Sequence, residues 1–152
     1  MPSEQQVMVK FEIRELIDRY HAAINLQDWS LLGDVFVQDA VWEARAPFNM
    51  RFEGREAIVK GLIASVARQE MLVQSSSGVA IDVQSDDFAS IRSTLIEFGR
   101  EADGGRGWSA VAFYFDKVRL DGGVWRFAER SLQLRYEDDA PIGSNIVPLT
   151  QQ

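Results

Sequence analysis

Four long runs in which apolar and polar residues alternate, 71–83, 88–100, 107–120 and 124–136, fill the second half of the chain and restrict its architecture. A period of two sends successive side chains to opposite faces, so each run reads as a strand. The clusters Ser85-Asp86-Asp87, Ala102 to Arg106 and Asp121-Gly122-Gly123 between them are too short for crossovers. The four strands must therefore be antiparallel neighbours. In the third run, Trp108, Ala110, Ala112 and Tyr114 lie on one side and Val111, Phe113 and Phe115 on the other. A sheet apolar on both faces needs two covers.

The first half supplies one of them. Ile13, Leu16, Ile17, Tyr20 and Ile24 recur at helical spacing and form a single apolar stripe. Tyr20 carries a hydroxyl into that stripe, which is costly without a partner. His21 falls on the flank of the stripe, where a partly exposed position is expected. Asp28 reads as the N-cap of a second helix, Trp29 to Val37, closed by Asp39. Val41 to Ala46 reads as a strand, Pro47 and Asn49 as a bend, and Met50 to Glu53 as a short extended piece broken by Gly54. A third helix, carried by Ala57, Ile58, Leu62, Ile63 and Val66, runs from Arg55 to about Gln69. Gly61 inside it marks a close approach of a neighbour.

Helices followed by a meander of long strands make an α+β fold, in which a curved, mostly antiparallel sheet wraps three helices as a cone with an interior pocket. Residues 1–9 are expected to be loose, 10–136 to form one domain, and 137–152, rich in Pro, Gly, Asp and Asn, to be a tail. The second cover of the sheet is most economically another copy of the chain, so a homo-oligomer, dimer or trimer, is expected.

Composition removes several function classes. With no cysteine, disulfides, thiol catalysis and thiolate metal sites are excluded, and the single histidine, His21, rules out metal sites built on two imidazoles. The formal net charge is −7 and the basic residues are scattered among acids, so nucleic acid is not an expected partner. No apolar run reaches the length of a membrane span, and the expectation is a cytoplasmic protein that binds no membrane.

The run from Tyr20 through Asp28-Trp29 and Phe36 to Asp39-Ala40-Val41-Trp42 resembles the SnoaL-like branch of the nuclear transport factor two-like superfamily. Phe52-Glu53-Gly54-Arg55-Glu56-Ala57-Ile58 and Gly123-Val124-Trp125-Arg126-Phe127 continue the resemblance, which covers residues 11–136. Members include polyketide cyclases, dehydratases, isomerases, an epoxide hydrolase and a dehydrochlorinase. The resemblance implies a pocket for a small, largely apolar molecule, such as a polyketide, steroid, terpenoid or aromatic compound. It implies neither metal nor organic cofactor.

In the dehydratase and dehydrochlorinase members a histidine oriented by an aspartate removes a proton beside a leaving group. Tyr20 matches the family's helix-one tyrosine, but Asn25 stands at the aspartate position and Gln74 at the histidine position. Neither can take up a proton near neutral pH. Epoxide-hydrolase members use an Arg-x-Asp pair, which Arg92 matches and Thr94 does not. The resemblance therefore implies an atypical cofactor-independent lyase, isomerase or cyclase. In it Tyr20 donates to a substrate oxygen, Asn25 and Gln74 orient the substrate, and Arg92 or Arg130 steadies an enolate-like charge. Trp42, Phe36, Trp108 and Tyr114 are candidate lining residues, and Glu97 and Glu129 are further candidate carboxylates. The alternatives are a non-catalytic ligand-binding or assembly protein on the same cone, and the small subunit of a ring-hydroxylating oxygenase.

Overall fold

The computed structural model describes residues 1–150. Helix α1 spans Glu4–Leu26 and α2 spans Arg55–Ala67. The strands are β1 (Phe36–Ala44), β2 (Met50–Glu53), β3 (Gln69–Val83), β4 (Phe88–Glu101), β5 (Gly107–Asp121) and β6 (Val124–Asp139). They form one open six-stranded sheet in the order β2-β1-β6-β5-β4-β3. All neighbours are antiparallel except β1 and β6, which run parallel. The architecture is α+β, with the curved sheet holding α1 on its concave face, as the alternation and the stripe require.

Residues 4–9 are helical, not loose. Ser3 and Gln6 form a reciprocal capping box that satisfies free backbone groups at the helix start and extends α1 one turn and more ahead of its apolar stripe. The expected second helix, Trp29 to Val37, is not an α-helix. It is two 3-10 turns, Trp29–Leu31 and Gly33–Val35, and β1 already begins at Phe36. Asp28 makes no cap bond to the backbone; its carboxylate accepts from Ser30 Oγ at 2.5 Å instead. Gly33 weakens a helix in mid-course, and the Val35-Phe36-Val37 run favours extended structure.

The core lies between α1, the 3-10 turns and the concave face. Ile13, Leu16, Ile17 and Ile24 meet Ile91, Leu95, Ala112 and Val118, all buried. Gly61 has the reason its position suggests: a Cβ there would come within 2.5 Å of the Phe52 ring. Phe52 in turn stacks on Trp42 at 5.7 Å between ring centroids, so the bare turn of α2 fixes where the Trp42 indole sits.

Candidate functional site

Strand register sorts the candidate residues between the two faces. Trp42 lies opposite Arg130 across β1 and β6, and Arg130 lies opposite Asp116 across β6 and β5. One step along, Tyr114 lies opposite Ser93. All five are buried on the concave face. Four residues further along β4 from Ser93, Glu97 lies opposite Gln74 on β3.

At the centre is an ion pair out of reach of water. Arg130 Nε and Nη2 donate to Asp116 Oδ1 and Oδ2 at 3.0 and 3.2 Å, and both side chains are fully buried. The guanidinium carbon stands 4.2 Å from the Tyr20 ring centroid, 3.7 Å from Tyr114 and 4.2 Å from Phe127. Three aromatic faces on one cation replace part of the hydration it has lost. Tyr20 packs edge-on against Phe36, Tyr114, Phe127 and His21. Burial pushes both phenols above their ordinary range, with Arg130 opposing, so both stay protonated. Burial also pushes the Asp116 carboxyl up while the guanidinium pulls it back. Asp116 escapes notice in the sequence, although a lone acid in the inward series Ala110, Ala112, Tyr114, Asp116, Val118 is the signal that would find it.

His21 is buried, not partly exposed, with 6% of its surface accessible. Its flank of α1 is covered where the helix meets β3. Burial first, and Arg130 second, hold its imidazole down to about 3, so it is neutral at pH 7. Neither ring nitrogen has a hydrogen-bond partner. The Gln74 side chain is near enough to favour the proton slightly without reaching bonding geometry.

Asn25 and Gln74 are joined through the Gln74 backbone. Asn25 Nδ2 donates to the Gln74 carbonyl at 2.8 Å, and the Gln74 N–H donates to Asn25 Oδ1 at 2.7 Å. Both ends of the Asn25 amide are thus spent on pinning β3 to the end of α1. The Gln74 side chain is free to turn inward, and its Nε2 donates to Glu97 Oε2 at 2.8 Å. Burial raises the Glu97 carboxyl, the Gln74 bond opposes this, and Glu137 adds to it.

Other candidates lie elsewhere. Arg92 is exposed on the convex face and takes no part in this cluster, because its position on β4 is one residue out of step with Ile91 and Ser93. Glu129 is outward too, paired with Lys117 at 3.0 Å. Trp108 sits at the start of β5 against Gly99, its indole N–H donating to Gln69 Oε1 at 3.1 Å. Among the described residues no three carboxylate or imidazole side chains gather as metal ligands, and no helix is long and apolar enough to cross a membrane.

The SnoaL-like domain family matches residues 6–131. The chain belongs to the SnoaL-like family. Among solved structures, a hexachlorocyclohexane dehydrochlorinase, LinA-type3 from Novosphingobium barchaimii, superimposes with a TM-score of 0.82 at 17% identity, covering 95% of this chain and 97% of that one. A scytalone dehydratase-like protein from Novosphingobium aromaticivorans gives 0.81 at 23% identity, covering 93% of each chain. A protein from the same species, assigned as an aromatic ring hydroxylase, gives 0.79 at 21% identity, covering 88% of this chain and 94% of that one. At these identities the likeness shows the fold. A search among curated proteins found no match.

Proposed function

We propose that this SnoaL-like protein binds a small, largely apolar molecule inside the cone and moves a proton on it without metal or organic cofactor, as a lyase or isomerase. The observation that carries the reading is the chain Asn25–Gln74–Glu97. The two positions that hold the family's base and its orienting acid are occupied by amides, and the second amide grips a carboxylate whose proton affinity is raised. Glu97 takes the place of the imidazole. Its carboxylate accepts a proton from carbon beside a carbonyl, and the electron pair moves onto the carbonyl oxygen. The electron pair then returns to carbon as Glu97 gives its proton to a different, conjugated carbon, or it expels a leaving group from the carbon next to the deprotonated one, with the proton left on Glu97.

The test follows solvent deuterium into a panel of cyclic and aryl ketones by NMR. The protein is expected to speed exchange beside the carbonyl by at least about 100-fold, the lower end for a positioned acid or base. Glu97→Gln abolishes this while ligand binding persists. Binding of the panel without exchange would reject the catalytic reading in favour of a non-catalytic binding protein. A non-catalytic assembly protein on the same fold is the reading favoured by the packing of Tyr20 against four rings; no binding of any member of the panel would support it. The oxygenase small-subunit alternative has the ring-hydroxylase neighbour in its favour; co-purification with a large iron-containing subunit would support it.

Self-association belongs to the same proposal. On the convex face Ile96, Val111 and Tyr136 lie side by side across β4, β5 and β6, flanked by Phe98, Phe113 and Phe115. Ile96 and Tyr136 are 50% and 54% exposed, an apolar surface that a second copy would cover. Analytical ultracentrifugation at micromolar concentration is expected to give a dimer or trimer, and a monomer would contradict this.

A further inference from the structure

Helix α2 carries two apolar stripes, and only one of them is spent on the core. Ile58, Leu62 and Val66 are buried in the core cluster. Val59 and Ile63 lie one residue further round the helix and stay half-buried. With Arg55 they repeat every four residues, so the three share one face of α2. Gly33 of the second 3-10 turn and Gln38 of β1 complete the walls of a groove of about 610 Å³ over that face. Small-molecule sites fall in the range of about 300–1,000 Å³. The groove lies outside the cone and shares no residue with the cluster around Arg130 or with Gln74 and Glu97.

Arg55 and Lys60 bring two cations to this groove. Arg55 Nε donates to the Phe36 carbonyl at 2.8 Å, which holds the guanidinium in place and leaves its two terminal nitrogens to other acceptors. Among the described residues no carboxylate lies within 4.0 Å of either cation. Acids outnumber bases 23 to 16 in this chain, so two unpaired cations beside one groove run against its composition. Glu56 is the one acid in the lining. It stands four residues before Lys60, on the flank of the stripe, and offsets part of that charge. Arg55 is left unbalanced.

Size decides against a macromolecule as the occupant. Two half-buried aliphatic side chains offer far less apolar surface than the roughly 1,000 Å² that a stable protein interface buries. From Arg55 to Ile63 the stripe runs just over two turns of helix, about 12 Å. An unbranched chain laid along it, with a negative end at Arg55, meets both the apolar floor and the free cation.

We propose that this groove binds a small amphipathic carboxylate, a straight-chain acid whose carboxylate pairs with Arg55 and Lys60 and whose chain lies over Val59 and Ile63. The site is separate from the interior of the cone and does not depend on any reaction there.

The test titrates octanoate, octanol and butyrate into the full chain while NMR follows the valine and isoleucine methyl groups. Octanoate is expected to move the Val59 and Ile63 signals, identified by their loss in Val59→Ile and Ile63→Val. It binds at least about tenfold more tightly than butyrate, which lacks the chain. It binds about threefold more tightly than octanol at low salt, which lacks the charge, and added salt narrows this second difference alone. Arg55 also holds the Phe36 carbonyl, so charge and shape are tested at Lys60 and Gly33 instead. Lys60→Gln reduces the preference for octanoate over octanol. The Gly33 backbone is not left-handed and a Cβ on it would meet no atom within 4 Å, so Gly33→Leu fills the groove without strain. That variant is expected to weaken octanoate binding at least about tenfold. Equal binding of octanoate and octanol at low salt, shifts that avoid Val59 and Ile63, no binding, or an affinity unchanged in Gly33→Leu would each overturn the proposal. A Gly33→Leu variant that sediments as a smaller species than the parent would assign the groove to a second copy and overturn it too.

Discussion

Asp116→Asn is expected to destabilise the protein by about 3–5 kcal/mol, the cost of leaving a buried charge without its partner. The substitution keeps the shape and removes the charge that neutralises Arg130, which is fully buried and has no water to turn to. Stacking on Tyr20, Tyr114 and Phe127 offsets a part of this, since a cation–π contact contributes about 2 kcal/mol at a desolvated site. Removing both charges, as in Asp116→Leu with Arg130→Met, is expected to recover most of the loss, because an apolar pair of similar volume has no desolvation to repay. Urea denaturation of the two variants beside the parent measures this. A loss under about 1 kcal/mol for Asp116→Asn would show that the pair is reached by solvent.

The second large effect is on acid stability. His21 binds its proton at about 3 in the folded chain against 6.5 ordinarily. Below the unfolded value the unfolded chain takes up a proton that the folded chain refuses, so folding stability contributed by neutral His21 is present above pH 6.5 and is lost as pH falls towards 3. Between pH 7 and pH 5 the loss is about 2 kcal/mol. Glu97, whose carboxyl is raised, acts in the opposite sense, contributing stability at low pH that fades as pH rises. The comparison with His21→Leu isolates the histidine: the variant is expected to match or exceed the parent at pH 7, since neither ring nitrogen is bonded, and to lack the fall. Equal pH slopes for parent and variant would contradict the burial argument.

The meander was legible because period two and the turn clusters are local signals, and β3 to β6 follow the four alternating runs to within a few residues. The stripe on α1 was legible for the same reason. The parallel pairing of β1 with β6 was not, since it joins segments far apart in sequence and leaves no local mark. Asp28 carried a cap signal that Ser30 diverted, and Gly33 with the β-branched residues around Phe36 decided for 3-10 turns and an early strand. In the site, the resemblance singled out Asn25 and Gln74 and assigned Asn25 to orienting the substrate, whereas both of its polar atoms hold the Gln74 backbone. Arg92 misled because one residue of phase separates the two faces of a strand. His21 misled because its burial comes from β3, which the helix stripe alone does not report.

The measurement closest to the central claim is a carbon-13 NMR titration of the Glu97 side-chain carboxyl, in the parent and in Gln74→Ala. The midpoint is expected above 4.5, the ordinary value for a glutamate, because burial disfavours the anion. A further rise is expected in Gln74→Ala, where the hydrogen bond that favours the anion is gone. A midpoint at or below the ordinary value, or one that Gln74→Ala leaves unmoved, would contradict the placing of the proton acceptor at Glu97 under the grip of Gln74.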